Sequence, residues 1–254
     1  MDRARNAARK LRLDELLVER GFFASRSRAR DAVVRGTVAV DGATAAKAGQ
    51  AVAENAEVVV SDPARAYVSR GALKLIAALD GFDLDVKGRV ALDIGASTGG
   101  FTQVLLERGA TRVFAIDVGH GQLDPALAAD SRVSAIEGLN ARDLTVGHFE
   151  GTRPDFLVCD VSFISITLAL PAALDLAAPG ASGVFLVKPQ FEAGREAIGK
   201  GGLLKDPADA ERAARRVADW LASQRGWGVL GLESSPIEGG DGNREFLLAG
   251  RKSP

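Results

Sequence analysis

The chain is short of the side chains that carry much of enzyme chemistry. Of its 254 residues one is cysteine, Cys159, and two are histidine, His120 and His148. A single cysteine excludes an internal disulfide and any clustered-cysteine zinc site. Two histidines give no basis for a histidine-built metal centre, so no metal is expected, and a Ser-His-Asp triad would have to use one of them. Acid–base chemistry falls instead to Lys, Asp and Glu. A long apolar run is missing too. Between Asp160 and Lys188 the only charge is Asp175, but Pro171, Pro179-Gly180 and Gly183 interrupt the stretch, and its pieces are too short to span a bilayer. The opening MDRARNAARKLRL carries charge without an apolar segment behind it, so no secretory leader is expected. These absences predict a soluble, cytoplasmic protein without membrane association; a monomer is expected.

What is present is unevenly distributed. The composition, 46% hydrophobic and 26% charged, is that of a globular protein. The net charge of −1 hides a basic front (13 Lys/Arg against 9 Asp/Glu over residues 1–70) on an acidic body (19 against 24). Two domains with different partners are the natural reading. In the front piece Leu13, Leu16 and Leu17 fall at helical spacing up to Gly21. Ser25 is placed to cap a second helix whose apolar side is Ala29, Ala32 and Val33 and which ends at Gly36. Arg26, Arg28 and Arg30 crowd its start, either as a solvated face or as a contact surface. TVAV, the turn signal Asp41-Gly42, and AEVVVSD supply strands.

Beyond SDPARAYVSRG, which holds the only tyrosine, the chain alternates strand and helix. RVALDI, TRVFAID, RVSAIE and DFLVCD are the apolar runs, and such alternation predicts a doubly wound parallel α/β sheet. The first strand enters the loop ALDIGASTGGF. Gly95, Gly99 and Gly100 there would let a ligand approach the backbone, Ser97 and Thr98 either line that loop or cap the helix, and Phe101 opens the helix. Asp117, 22 residues after Gly95 and at the end of the second strand, is placed to accept ribose hydroxyls. A dinucleotide fingerprint would need glycine where Ser97 stands. Asp93, just before the loop, would repel a pyrophosphate and suits a cation such as S-adenosylmethionine. In GLNARDL, Asn140 and Asp143 either touch the adenine or form a turn. A further apolar strand, GVFLV, ends on Lys188 followed by Pro189. Lysine is among the residues least often buried, so this one either snorkels or has a task.

Taken together, the front pattern from Arg12-Leu13-Asp14 to Gly42 resembles the S4-type RNA-binding domain. YVSRGALKL, LDIGASTGGFT, CDVSFISI, LVKPQFEAG and SPIEGGDGNREFLL resemble the TlyA family over nearly the whole chain. That family comprises S-adenosylmethionine-dependent ribosomal-RNA 2′-O-methyltransferases, also labelled hemolysins, and its catalytic part is similar to the FtsJ/RrmJ ribose methyltransferases. The resemblance implies an S4-type domain over residues 1–62, a linker over 63–70 and a Rossmann-like methyltransferase domain over 71–254. It implies a Lys-Asp-Lys-Glu tetrad at Lys74, Asp160, Lys188 and Glu245, with Asp160 also at the cofactor. It further implies RNA phosphate contacts from Arg12, Arg26, Arg28, Arg30 and Arg70, with ribosomal RNA or subunits as partner and cytidine as target. One departure is Ala72, where the family reads a second glycine.

Methylating a ribose hydroxyl requires in-line attack by its oxygen and loss of its proton. Lys188 could act as base only if its pKa came down from about 10.4 towards neutrality; otherwise it orients the hydroxyl as a cation. Both roles remain open at this level. A base target is disfavoured because Asp160-Val-Ser-Phe163 lacks the prolines of the segment common in exocyclic-nitrogen methyltransferases. The competing readings are an RNA-binding assembly factor with a degenerate catalytic body and a membrane-active hemolysin.

Overall fold

The computed structural model describes residues 9–254; the leader expectation concerns the segment that opens the chain and mostly lies outside the described residues. The chain divides into two compact units between Ala66 and Tyr67.

The first unit runs β1 (Lys10–Arg12), α1 (Leu13–Glu19), α2 (Arg26–Val34), β2 (Val38–Val40), β3 (Ala43–Thr44), β4 (Ala51–Ala53) and β5 (Val58–Val60). Helix α1 buries Leu13, Leu16 and Leu17, the face expected from their spacing, against Ala29, Ala32 and Val33 of α2. Ser25 caps α2 by accepting a hydrogen bond from the Arg28 amide. The strands are short: β2 pairs antiparallel with β3 and β5, and β1 pairs with β4. The end of the unit is fastened down. Arg35 binds both Asp62 oxygens at 2.7 and 2.8 Å, Arg28 donates to the Ala64 carbonyl, and the Arg65 guanidinium lies 5.6 Å from the centre of the Phe22 ring.

The second unit starts with α3 (Ala72–Gly81), β6 (Val90–Ile94), α4 (Gly100–Glu107), β7 (Arg112–Asp117), α5 (Pro125–Ala128), β8 (Val133–Glu137) and β9 (Phe156–Cys159). It continues through α6 (Ile166–Ala169), α7 (Pro171–Leu176), β10 (Ser182–Val187), α8 (Pro189–Glu192), α9 (Ala208–Ser223), β11 (Trp227–Ser234) and β12 (Phe246–Lys252). The seven strands lie in the order β11-β12-β10-β9-β6-β7-β8. Strands β8, β7, β6, β9 and β10 are mutually parallel, as the alternation predicts, and β12 and β11 add an antiparallel edge. The central strands are apolar throughout because both sheet faces are covered. One core gathers Leu92, Phe114, Leu157 and Phe185 with α9, the other Leu75, Leu105, Val158 and Leu186 with α3 and α4. Cys159 is wholly buried there, and burial pushes its thiol up, away from the reactive thiolate. Among the described residues no helix is long and apolar enough to cross a membrane.

The strand order reverses at β6, whose neighbours are β7 on one side and β9 on the other. A sheet of this kind binds ligands outside the carboxyl ends of its strands at such a switch point.

Candidate active site

Four of the expected residues sit at those carboxyl ends: Asp93 within β6, Asp117 ending β7, Asp160 following β9 and Lys188 following β10. Glu245 joins them by a different route. Strand β12 runs antiparallel to β10, and Phe246 pairs with Val187, so the beginning of β12 lies on the same rim as the end of β10. Lys74, from α3, reaches in from the sheet face.

The four tetrad residues form two ion pairs. Lys74 Nζ bonds Glu245 Oε2, with side chains 7% and 3% exposed. Lys188 Nζ lies 2.6 Å from Asp160 Oδ1 and donates to Ser162 Oγ at 2.8 Å. The Lys188–Asp160 contact is ionic and not aligned as a hydrogen bond, since Asp160 Oδ1 has no hydrogen-bond partner. A lysine this deeply buried with a carboxylate beside it is not the snorkelling type.

A cavity of about 460 Å³ opens at the switch point, within the usual range for small-molecule sites. Its apolar lining includes Ile94, Ile116, Leu139 and Ala141, and its polar rim Ser97, Asp117, Gln122, Asn140 and Asp160. The Asp117 carboxylate accepts from the amides of Ser97 (2.9 Å) and Gly119 (2.7 Å), which fixes it at the rim. Asn140 Oδ1 accepts from the Arg142 amide, so it caps a turn as well as lining the cavity. Asp93 is fully buried behind the loop: Thr102 Oγ1 donates to its Oδ2 at 2.6 Å, and its Oδ1 has no partner. Burial, with the neighbouring Asp160 charge and against the Thr102 bond, pushes the Asp93 carboxyl up to about 7.

Of the glycine loop, Gly95 and Ser97 line the cavity. Thr98, Gly99, Gly100 and Phe101 do not line the cavity; Phe101 is packed in the α3–α4 core. A Cβ at Gly95 would come within 2.7 Å of the Asp160 carbonyl oxygen, at Gly99 it would strike Leu123 and Leu127, and at Gly100 Ser69. Gly99 and Gly100 make room for protein atoms, whereas Gly95 does so and also lines the cavity. Gly95 and Gly99 also adopt positive φ, +82° and +97°.

In the first unit, Arg12, Arg26 and Arg30 converge on Asp14, which is wholly buried, at 3.0, 3.2 and 2.9 Å. Burial pushes this carboxyl up, but the three guanidinium hydrogen bonds outweigh it and hold it far below the usual range. The arginines remain roughly half exposed, so they present donors outward while anchored inward. Arg28 is engaged with the Ala64 carbonyl. Arg70 belongs to the second unit, near Gly240.

An FtsJ-like methyltransferase model matches residues 67–252, and an S4 domain model matches residues 11–58. The chain is 47% identical over 242 residues to the 16S/23S rRNA (cytidine-2′-O)-methyltransferase TlyA of Mycobacterium tuberculosis, spanning 95% of this chain and 90% of that one. The chain belongs to the FtsJ-like methyltransferases of the TlyA family. It is also 38% identical to Hemolysin A of Brachyspira hyodysenteriae, spanning 93% of this chain and 98% of that one. A solved structure of a candidate hemolysin from Streptococcus thermophilus superposes with a TM-score of 0.73 at 41% identity, covering 97% of this chain and 90% of that one.

The departure at Ala72 is accommodated within this methyltransferase unit: Ala72 is the fully buried first residue of α3, and the glycine that stays, Gly71, faces Asp160. Several site residues went unread in the sequence. Gln122 and Leu139 line the cavity from loops without a motif. Phe163 is 92% exposed, has φ +68° and lies at the cavity wall. Gly239 is needed bare, because a Cβ there would meet Glu245 Oε1 at 2.6 Å.

Proposed function

We propose that this protein transfers a methyl group from S-adenosylmethionine to the 2′-oxygen of a ribose in ribosomal RNA, with cytidine as the target nucleotide. The observation that carries the reading is the Lys188–Asp160 pair, whose aspartate lines a nucleoside-sized cavity, in the same unit as the buried Lys74–Glu245 pair. The reaction named for the Mycobacterium tuberculosis relative is this one.

The methyl donor is S-adenosylmethionine, which when bound supplies an electrophilic methyl on a sulfonium. The cavity residues fit it: an apolar floor for an adenine and Asp117 and Asn140 at the rim for hydroxyl and ring contacts. Behind the lining, the buried Asp93 carboxyl, one oxygen of which has no partner, favours positive charge in the cavity. Lys188, with one of its three N–H donors on Ser162, is placed to hydrogen-bond the acceptor hydroxyl and fix its lone pair. As the C–O bond forms and the methyl–sulfur bond breaks, the hydroxyl proton becomes strongly acidic, so it leaves late and needs no strong base; the Asp160 carboxylate beside Lys188 would take it. Lys74 and Glu245 neutralise each other, and Glu245 stands on the same sheet rim as Lys188. The exposed Phe163 ring offers a flat face on which an unstacked base can rest.

The first unit supplies docking. Its arginines give affinity and register through phosphates, without sequence choice. We place the protein in the cytoplasm with its ribosomal substrate. The test is chemical mapping: 2′-O-methylation blocks alkaline cleavage at one linkage. Ribosomal subunits from a strain lacking the enzyme, treated with protein and S-adenosylmethionine, acquire a cleavage-resistant cytidine. Methyl incorporation without any resistant linkage would point to a base as acceptor and overturn the reading.

A further inference from the structure

The segment that follows Lys188 reads Pro189-Gln190-Phe191-Glu192 and forms the single turn α8, with Lys188 as its N-cap and Pro189 fixing its start. In a helical turn, positions i, i+3 and i+4 share one face. Those positions are Lys188, Phe191 and Glu192. All three grip the same neighbouring segment, the stretch after β9 that runs from Asp160 to Ile166. Lys188 holds Asp160 at 2.6 Å and Ser162 at 2.8 Å. The Phe191 ring packs on Phe163 with centroids 5.4 Å apart. The Glu192 carboxylate accepts from Ser165 Oγ at 2.5 Å with one oxygen and from the Ile166 amide at 2.9 Å with the other.

The gripped segment needs holding. Asp160 to Ile164 wall the cavity, yet no strand or helix constrains them, and Phe163 has a left-handed backbone that non-glycine residues avoid. Glu192 closes the far end of this segment, at the N-terminus of α6, while Lys188 closes the near end.

We propose that Glu192 is a positioning residue for methyl transfer: by clamping Ser165 and Ile166 it fixes the Asp160–Phe163 turn against Lys188. The proposal rests on the assignment of Asp160 and Lys188 to the reaction made above. A carboxylate suits the site because it accepts both contacts on two separate oxygens; a glutamine keeps one acceptor oxygen and must reverse the bond to the Ser165 hydroxyl, and an alanine makes neither contact.

The experiment is a graded series, Glu192→Gln, Glu192→Ala and Ser165→Ala, on the full chain. It reads kcat and KM for methyl transfer to ribosomal subunits, S-adenosylmethionine affinity, and amide hydrogen exchange. Misplacement of reacting groups by about 1 Å costs up to ~100-fold in rate, so Glu192→Ala is expected to lose kcat by about that factor. Glu192→Gln should fall between it and the wild type. Cofactor affinity should change far less than kcat, since Asp117 and Asn140 are untouched. Exchange should accelerate at residues 161–167 and stay unchanged in β6, β9 and β10. Glu192→Ala with wild-type kcat, or faster exchange spread over the whole sheet, overturns the proposal. Wild-type protein inactive on every ribosomal substrate would sink the functional reading instead, and the local exchange pattern then judges the clamp alone.

Discussion

Lys74 and Glu245 are 171 positions apart in the chain and form a buried ion pair, one from the helix before the sheet and the other from the residue that enters its last strand. Removing one partner leaves the other charged in an apolar setting, which costs about 3–5 kcal/mol, whereas replacing both by apolar residues is often near neutral. Lys74→Met alone should therefore destabilise the protein strongly, and Lys74→Met with Glu245→Leu should regain most of that stability. Denaturant melts check the first expectation. If the pair also shapes the acceptor site, methyl transfer stays low in the double variant although the fold is restored.

Gly239 offers a subtler test of the same pair. A methyl at this position meets the Glu245 carboxylate at 2.6 Å and must push it from Lys74. Gly239→Ala is expected to reduce kcat by roughly tenfold, equivalent to ~1.4 kcal/mol of transition-state stabilisation. Unchanged kinetics would mean that the Glu245 position has no bearing on the reaction.

Asp93 makes stability depend on pH. Its folded-state value of about 7 lies above the 3.8 of an unperturbed carboxyl, so the folded state holds the proton more tightly than the unfolded chain. The resulting stabilisation is complete below the unfolded value and is lost as pH rises through about 7, by about 1.4 kcal/mol per pH unit between the two values. The ligand-free protein should thus be less stable at pH 8 than at pH 5, and Asp93→Asn should flatten that difference. S-adenosylmethionine affinity should run the other way, improving as Asp93 ionises, and should fall in Asp93→Asn. Chemical denaturation and calorimetric titration at the two pH values measure both.

In the first unit the arginine cluster predicts a salt signature. Arg30 is 54% exposed and anchored to Asp14. Arg30→Ala should weaken RNA binding equally for unrelated sequences and reduce the slope of log K against log salt by ~0.9. Asp14→Asn should instead destabilise the unit, because three guanidiniums lose their buried counter-charge.

The sequence was most readable where local pattern and tertiary role coincide. Leu13, Leu16 and Leu17 mark a helix face, GVFLV marks a buried strand, and a lysine at its end is conspicuous because burial of an ammonium needs a reason. The paired strands β1 and β4 were not legible: three residues each leave too little periodicity to detect. The glycine loop was legible as a loop, and Gly95 and Ser97 line the cavity, but nothing in the sequence signals that Gly95, Gly99 and Gly100 also clear space for Asp160, Leu123, Leu127 and Ser69. Glu245 could be singled out only through family resemblance, because its place depends on the antiparallel return of β12 beside β10. Gln122 carries no local signal, and Phe163, Gly239 and Glu192 were visible only as members of the motifs that carry the family resemblance; what they do follows from the residues that long-range folding brings to them.

The most direct test is transfer of labelled methyl from S-adenosylmethionine to unmodified ribosomal subunits, with Lys188→Ala alongside and cofactor binding measured for both proteins. The account predicts label on a ribose 2′-oxygen with the wild type, its loss in Lys188→Ala, and cofactor binding retained in the variant. Equal incorporation by both proteins, or binding of the cofactor without transfer to either subunit, would contradict it.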